Sequence, residues 1–340
     1  MRRMTRARRV AVLLVILAGV VPTIPASAGD LVLPPTETAA ERIVDDYNDR
    51  NTLNNATLDI EGQAAIEAPP IKTIDDATFR EYLGRGQTTL DDPFTVDEVE
   101  VFVPEQDSYP LVFVAFEEIS APDQEPVQQL LVFSQASADD GWKVTHAASF
   151  LPDADVPEVA RDRNGLARIV EGSDSSLQVK PTKLGPKLAR LWRRVADGAA
   201  ISKPFEPGLL TTESIAVFLS ELELLPINEA NVELTFEPAE SQPLCFAAED
   251  DGALCFFVMS YTARLDPVSG VFEQPATREP LTGLVPPGEY GSVTFVRSAI
   301  VLAAVPKRAR LGRVDLVGFY NGLISAETSP RGVDAPTDAV

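Results

Sequence analysis

The sequence is poor in the residues that most often build metal sites and nucleophilic sites. Its 340 residues include two cysteines and one histidine, and three such ligands do not make a typical four-ligand structural zinc site. No Cys-x-x-Cys pair, phosphate-cradling glycine loop or Gly-x-Ser-x-Gly elbow is present. We therefore predict no catalytic residue, no metal site and no cofactor.

Positive charge is scarce as well. The chain has 29 Lys and Arg against 51 Asp and Glu, which gives a formal net charge of -22. So acidic a protein repels phosphate backbones and anionic lipid headgroups, which predicts that neither nucleic acid nor a membrane surface is its partner. The acidic stretches 139–141 and 249–252 lack the alternating oxygen ligands of a calcium loop, and their Asp-Gly steps are typical of hairpin turns.

One apolar run stands out, and it lies close to the N-terminus. Val10 to Val21 spans 12 residues, which is shorter than the roughly 20 that a membrane-spanning helix needs. Five arginines precede the run, and the small-residue site Ala26-Ser27-Ala28 follows it. This order predicts a signal peptide over residues 1–28 of the general secretory type, cleaved before Gly29.

The predicted mature chain starts with a flexible lead-in over 29–36. Loss of the signal takes five arginines from the 29 basic residues and leaves 24 of them against 51 acidic residues. Leu17-Ala18-Gly19 is followed by Val20 instead of a cysteine, so no thioether lipid is expected. We predict a secreted or extracytoplasmic protein that has no integral membrane segment after cleavage.

The two cysteines flank a turn in the sequence PLCFAAEDDGALCFF. Cys245 and Cys255 are ten residues apart across a predicted hairpin, a spacing that suits a cross-strand disulfide in an exported protein. The alternative is a pair of buried free thiols.

Apolar periodicity divides the first half into helices and then strands. Helical spacing predicts helices over 37–52 and 53–68, and a third after Thr73. A period of two predicts an antiparallel meander of four strands, at 94–104, 109–120, 127–137 and 142–150. This α+β order predicts a first domain over 37–152, with helices laid across a concave sheet face.

The same order returns after a proline- and charge-containing stretch, 153–183, which is predicted to be a linker. We predict a second α+β domain over 184–326, with helices near 184–197 and 211–225, and a disordered tail over 327–340. Its strands are predicted at 232–236, 243–248, 253–265, 291–305 and 313–325. The alternative for this half is an all-β sandwich, which requires 184–197 not to be a helix packed on the sheet.

Several segments suggest a family. ERIVDDYNDRN, and DGWKVTHAASF followed by LPD, resemble the nuclear transport factor 2-like (NTF2-like) or cystatin-like cone fold. Together with NGLARIV and FEPGLLTTESIAVFL, the chain looks like exported actinobacterial proteins that carry a domain of unknown function. The resemblance implies two tandem cone-like domains, each with N-terminal helices on a curved antiparallel sheet, and it implies no activity.

A cone fold would place a pocket on the concave sheet face. Period two puts Trp142, Val144 and His146 on one face of the fourth predicted strand. Tyr47, Trp142 and His146 are therefore candidate pocket-lining residues for a ligand, with packing in the core as the alternative for each. An acid/base role for His146 would need a partner, for which Asp45 and Tyr47 are the candidates on the first helix.

These observations favour a non-catalytic secreted or cell-envelope protein that binds a protein, a polysaccharide or a small apolar ligand. Two alternatives stay open. One is a cone-pocket enzyme of the hydratase or isomerase type with His146 as acid/base. The other is an assembly module, in which the sheets of two copies pair face to face.

Overall fold

The structure is a computed structural model, and all the residues it describes belong to one compact unit that begins at Val32. The described residues are 32–90, 94–121, 125–151, 154–199, 203–214, 216, 218, 230–274, 284–310 and 312–330. The predicted signal peptide, most of the predicted helix over 211–225 and the chain after residue 330 lie outside them.

Three helices precede the first strand: α1 (Glu37–Thr57), α2 (Ile60–Ile66) and α3 (Ile71–Gly84). α1 begins because the Thr36 hydroxyl accepts a hydrogen bond from the Ala39 amide at 3.3 Å. α2 begins in the same way at Asp59, whose carboxylate accepts from the Gly62 amide at 2.9 Å. The three predicted helices are confirmed, although the break between the first two lies at 58–59 because Asp59 caps the second.

The predicted meander is confirmed. It consists of β1 (Thr95–Phe102), β2 (Leu111–Ser120), β3 (Val127–Gln135) and β4 (Lys143–Phe150), and each strand pairs antiparallel with the next. Residues 111–115 of β2 are buried on both faces, as the continuous apolar run predicts.

The second half contains one long helix and most of the strands. Its elements are β5 (Ile169–Val170), a short 3₁₀ helix (Pro181–Lys183), α4 (Leu184–Ala196), β6 (Ala230–Pro238), β7 (Leu244–Ala247), β8 (Ala253–Pro267), β9 (Phe272–Gln274), β10 (Gly288–Tyr290), β11 (Ser292–Val305) and β12 (Asp315–Ser329). α4 ends before Gly198, which has a φ of 75°. Because α4 is helical and packs through Leu188 and Trp192 onto the sheet, the all-β sandwich alternative is wrong.

Both halves contribute to one ten-stranded sheet, ordered β1-β2-β3-β4-β12-β11-β8-β7-β5 with β6 also paired to β8. The halves join where Ser149 and Phe150 of β4 pair with Phe319 and Gly318 of β12. The predicted linker also takes part, because its residues 169–170 form β5 against β7. The fold is therefore α+β with a large antiparallel sheet, and two tandem cone-like domains are not confirmed.

The sheet turns back on itself at the β4–β12 junction. The rings of His146 in β4 and Phe256 in β8 are 5.8 Å apart, although β12 and β11 lie between these strands in the sheet order. Three strand spacings of about 4.8 Å would separate them by about 14 Å in a flat sheet. Bulges at Val317 and Ile324 of β12 supply the bend.

One apolar core fills the space between the two arms of the bent sheet. It contains Leu130 and Val132 from the meander together with Phe256 and Ile300 from the other arm. α1 lies on the outer face of the meander, where the Tyr47 ring meets that of Phe133 edge to face at 5.6 Å. α4 packs on β6 and β8, on the face opposite to this core. The expectation that the helices line the concave sheet faces is therefore wrong for α1 and α4, because the concave side is filled by the opposite arm.

The predicted disulfide is present. Cys245 of β7 and Cys255 of β8 occupy directly opposite positions in the antiparallel pair and are bonded to each other. The bond closes a hairpin at one end of the sheet.

Removing this bond should destabilise the protein without changing its fold. The double substitution Cys245→Ser and Cys255→Ser should lower the free energy of unfolding by about 2.5 kcal/mol, because the unfolded chain regains the entropy of a ten-residue loop. Urea unfolding followed by circular dichroism measures this change. The same loss should appear when wild type is unfolded with a reductant, and an unchanged midpoint in both experiments would contradict the prediction.

Candidate functional site

His146 does not share a sheet face with Trp142 and Val144. In the register of β3 with β4, Val132 is opposite His146 and Phe133 is opposite Val144, so Thr145 is the extra residue of a bulge. Val132 and Phe133 are adjacent in β3 and point to opposite faces of the sheet. Their partners His146 and Val144 therefore also point to opposite faces. The predicted alternation is wrong at this point because the bulge reverses it.

The three predicted pocket residues are split between the two faces. Tyr47 is buried against Phe133, and Trp142 packs with its ring 5.0 Å from that of Phe113, both on the α1 side. His146 points into the space between the sheet arms. The structure does not bring the three residues together around one cavity.

His146 makes local contacts. Its Nδ1 lies 2.9 Å from the hydroxyl oxygen of Thr145, and its ring packs against Phe256. Burial lowers the pKa of His146 to about 4, because removal from water disfavours the imidazolium form. The proposed partner Asp45 is exposed on α1, and Tyr47 donates its hydroxyl to Glu67.

The Tyr47 hydroxyl belongs to a cluster of acidic residues and tyrosines that was not predicted from the sequence. We call it the acid–tyrosine cluster, and its members are Tyr47, Gln63, Glu67, Asp75 and Tyr320. The Glu67 Oε1 accepts from the Tyr47 hydroxyl at 3.2 Å and from the Gln63 amide at 2.6 Å. The Tyr320 hydroxyl donates to Asp75 Oδ1, and the two carboxyl groups lie within hydrogen-bonding reach of each other.

Burial dominates the electrostatics of this cluster. Glu67 is fully buried, and desolvation with the nearby Asp75 carboxyl raises the pKa of Glu67 to about 10. Desolvation likewise raises the pKa of Asp75 to about 6. The pKa values of Tyr47 and Tyr320 are raised well above 10, first by burial and then by the neighbouring carboxyl groups. Burial and the neighbouring carboxyl group therefore both favour the neutral form of Glu67.

A cleft of about 440 Å³ opens between the arms of the sheet, and we call it the acidic cleft. It is lined by Glu98, Glu100, Phe102, Phe116, Gln128, Leu130, Phe150, Ala154, Asp155, Val156, Pro157, Glu158, Val159 and Leu254. The rings of Phe116 and Phe150 are only partly buried, and their centroids are 6.1 Å apart. The cleft thus combines an aromatic floor with carboxylates.

The four carboxylates of the acidic cleft, Glu98, Glu100, Asp155 and Glu158, are exposed. Glu100 is paired with Arg161 at 3.0 Å. Among the described residues no ion pair involves Glu98, Asp155 or Glu158, and in this sense we call these three side chains the unpaired carboxylates of the cleft.

The described residues were compared with the requirements of a metal site and of a membrane-spanning helix. No group of three or more His, Cys, Asp or Glu side chains among them is arranged to hold a metal ion. Within the same residues, no helix has both the length and the apolar character needed to cross a membrane.

Comparison with known proteins identifies relatives of unknown function. The family model described as "Domain of unknown function (DUF8094)" matches residues 35–328. A Streptomyces avermitilis protein named "Uncharacterized lipoprotein" is 26% identical over 238 residues, which are 69% of this chain and 68% of that protein. No solved structure matches the chain. The predicted domain of unknown function is thereby confirmed, whereas the NTF2-like resemblance is not.

The buried neutral state of His146 predicts a loss of stability in acid. The unfolded chain takes up a proton on this residue below about pH 6.5, whereas the folded chain does so only near its lowered pKa of about 4. The contribution of His146 to stability is therefore lost as the pH falls through this window.

Between pH 7 and pH 4.5, wild type should lose about 2 kcal/mol more of its unfolding free energy than the His146→Gln variant. Urea unfolding at the two pH values measures the difference. The exposed substitution Asp45→Gln serves as the control and should not reproduce it. Equal losses in wild type and in His146→Gln would show that the imidazole is protonated as easily in the folded state as in the unfolded one.

Proposed function

We propose a function for this chain, which belongs to the family described as "Domain of unknown function (DUF8094)". The proposal is that it is an extracytoplasmic, envelope-associated, non-catalytic binding protein. The relative named "Uncharacterized lipoprotein" supports an envelope location, as does the predicted signal peptide over residues 1–28. The acidic cleft is the proposed binding site.

Envelope association by a cysteine-linked lipid does not fit this chain. The only two cysteines in the sequence are bonded to each other within the sheet, so neither can carry a thioether lipid. Association with the envelope is therefore proposed to occur through a bound partner.

The binding proposal rests on one observation: the acidic cleft combines partly exposed aromatic rings with the unpaired carboxylates. Phe116 and Phe150 offer apolar faces, while Glu98, Asp155 and Glu158 offer negative charge. A ligand that matches both needs an apolar body and a positive charge. We propose that the ligand is a protein segment with lysine or arginine next to apolar side chains, because such a segment meets both requirements.

The wall of the cleft already holds a cation in this way. The Arg161 guanidinium lies 4.5 Å from the centroid of the Phe102 ring, donates to Glu100 at 3.0 Å and donates to the Val101 carbonyl at 2.8 Å. An aromatic face and a carboxylate together favour a cation more than either does alone. The same chemistry is available to an external cation at the unpaired carboxylates.

The alternative function, a cone-pocket enzyme with His146 as acid/base, finds no specific support. His146 contacts Thr145 and Phe256, and neither side chain supplies a carboxylate.

Binding at the acidic cleft is tested with a fluorescent peptide of alternating lysine and leucine. The double substitution Glu98→Gln and Glu158→Gln should weaken binding at least tenfold, because it removes two of the three unpaired charges. Fluorescence anisotropy titrations at low and at moderate salt measure the affinity.

The matched control changes two exposed carboxylates away from the cleft, Glu41→Gln and Glu233→Gln, and should leave the affinity within twofold of wild type. If both doubly substituted proteins lose affinity equally, the peptide responds to net charge and the cleft is not its site. Equal binding of a peptide with glutamate in place of lysine would also overturn the proposal, and binding of a simple diamine as tight as the peptide would assign the cleft to small amines instead of protein segments.

Location is tested separately by expressing the full chain in an actinobacterium. The protein should be recovered outside the cytoplasm with its first residue at Gly29, because the signal peptidase cuts after Ala26-Ser27-Ala28. N-terminal sequencing of the fractionated protein gives the answer. Recovery in the cytoplasm with the arginines of residues 2–9 intact would contradict the proposed location.

A further inference from the structure

The α2–α3 connection is inserted between two strands that diverge. β4 and β12 pair only at Ser149–Phe319 and Phe150–Gly318, and the remainder of β4 has no pairing with β12. In that gap Glu67 forms a parallel bridge with Val144, and the Ala68 amide donates to the Val144 carbonyl at 2.9 Å.

On the other side of the gap, α3 is held against β12. The Tyr320 hydroxyl of β12 donates to Asp75 of α3. α3 also approaches β12 closely, because a Cβ at Gly322 would lie 2.4 Å from Cγ2 of Ile74. Glu67 and Asp75 therefore meet where the connection spans from β4 to β12.

Hydrogen bonding around Glu67 is complete only if the two carboxyl groups share a proton. Oε1 accepts from Tyr47 and Gln63, while Oε2 is buried and receives no bond from any donor among the described residues. A carboxylate accepts but does not donate, so two ionised carboxylates face to face repel each other. One proton turns this contact into a hydrogen bond.

We propose that a single proton held between Glu67 and Asp75 fastens the α2–α3 connection between β4 and β12, and that loss of this proton at alkaline pH releases the connection. Release separates Glu67 from Asp75 and breaks the Ala68–Val144 hydrogen bond. The proposal is independent of the acidic cleft and of the ligand proposed for it.

The groups around the pair do not replace the proton. From α1 and β12 come the hydroxyls of Tyr47 and Tyr320, and from α2 comes the neutral amide of Gln63. The cations near the cluster have other partners: Lys72 and Arg80 of α3 are paired with Asp76, and Lys143 of β4 donates to the Ala64 carbonyl. Asp76, and Glu117 of β2, add negative charge. A second ionised carboxylate would therefore meet repulsion without compensation.

The test follows the backbone amide of Ala68 by hydrogen exchange. In the released state Glu67 faces water and its pKa returns to the ordinary value of a glutamate. Above about pH 6.5 each opening of the connection therefore releases one proton from the carboxyl pair to the solvent. The protection factor of the Ala68 amide, corrected for intrinsic exchange, should therefore fall about tenfold for each pH unit between 6.5 and 8.5. The Gly198 amide at the end of α4 should show no such slope.

In the Glu67→Gln variant the protection factor of Ala68 should be independent of pH, because the carboxyl group that releases the proton on opening is absent. Glu41→Gln on the exposed face of α1 is the matched control and should keep the slope of wild type. A wild-type slope of zero overturns the proposal. So does an Ala68 amide that exchanges only together with the amides of β11, because the connection would then never open by itself.

Infrared spectroscopy gives a second readout that does not depend on exchange. At neutral pH, wild type should show the carbonyl stretch of a protonated carboxyl group that is missing from Glu67→Gln. If Glu67→Gln does not fold, the same comparison is made with Asp75→Asn, whose remaining carboxyl group should ionise at lower pH. Identical spectra in wild type and in the folded variant would show that no proton is shared.

Discussion

The short pairing between β4 and β12 is the constraint on which the rest of the structure depends. Two pairs of residues, Ser149 with Phe319 and Phe150 with Gly318, join the meander to the strands of the second half. Because β12 is bulged at Val317 and Ile324, the sheet bends there and its arms pack on each other. A single core then serves both halves of the chain.

This bend also determines where polar chemistry is placed. Near one end of the interface between the arms, rings and carboxylates of the meander and of residues 154–159 form the acidic cleft with Leu254 of β8. In the gap where β4 and β12 diverge, Glu67 and Asp75 are enclosed with two tyrosines. Both places combine residues from distant parts of the sequence, and both depend on the same junction.

Local elements were predictable because their signals are local. Alternation of apolar residues located the strands of the meander, and the stripe that ends at Gly198 located α4. The disulfide between Cys245 and Cys255 followed from a short hairpin in the same way. The face of His146 was not predictable, because a bulge at Thr145 reverses the alternation and no residue type marks it. The signal peptide stays a prediction, since residues 1–31 lie outside the described part.

The sequence by itself determined the order of helices and strands, the acidic charge, the hairpin disulfide and the lack of common catalytic motifs, because each of these is a property of composition or of neighbouring residues. Only the tertiary structure decided that β12 pairs with β4, that two expected domains share one sheet, and that Glu67 meets Asp75 and Tyr320. The physical reason is the distance along the chain over which each kind of information acts. Periodicity depends on the few residues around a position. Burial, and the pKa values that burial shifts, depend on groups as far apart in sequence as Asp75 and Tyr320, which are separated by 245 residues.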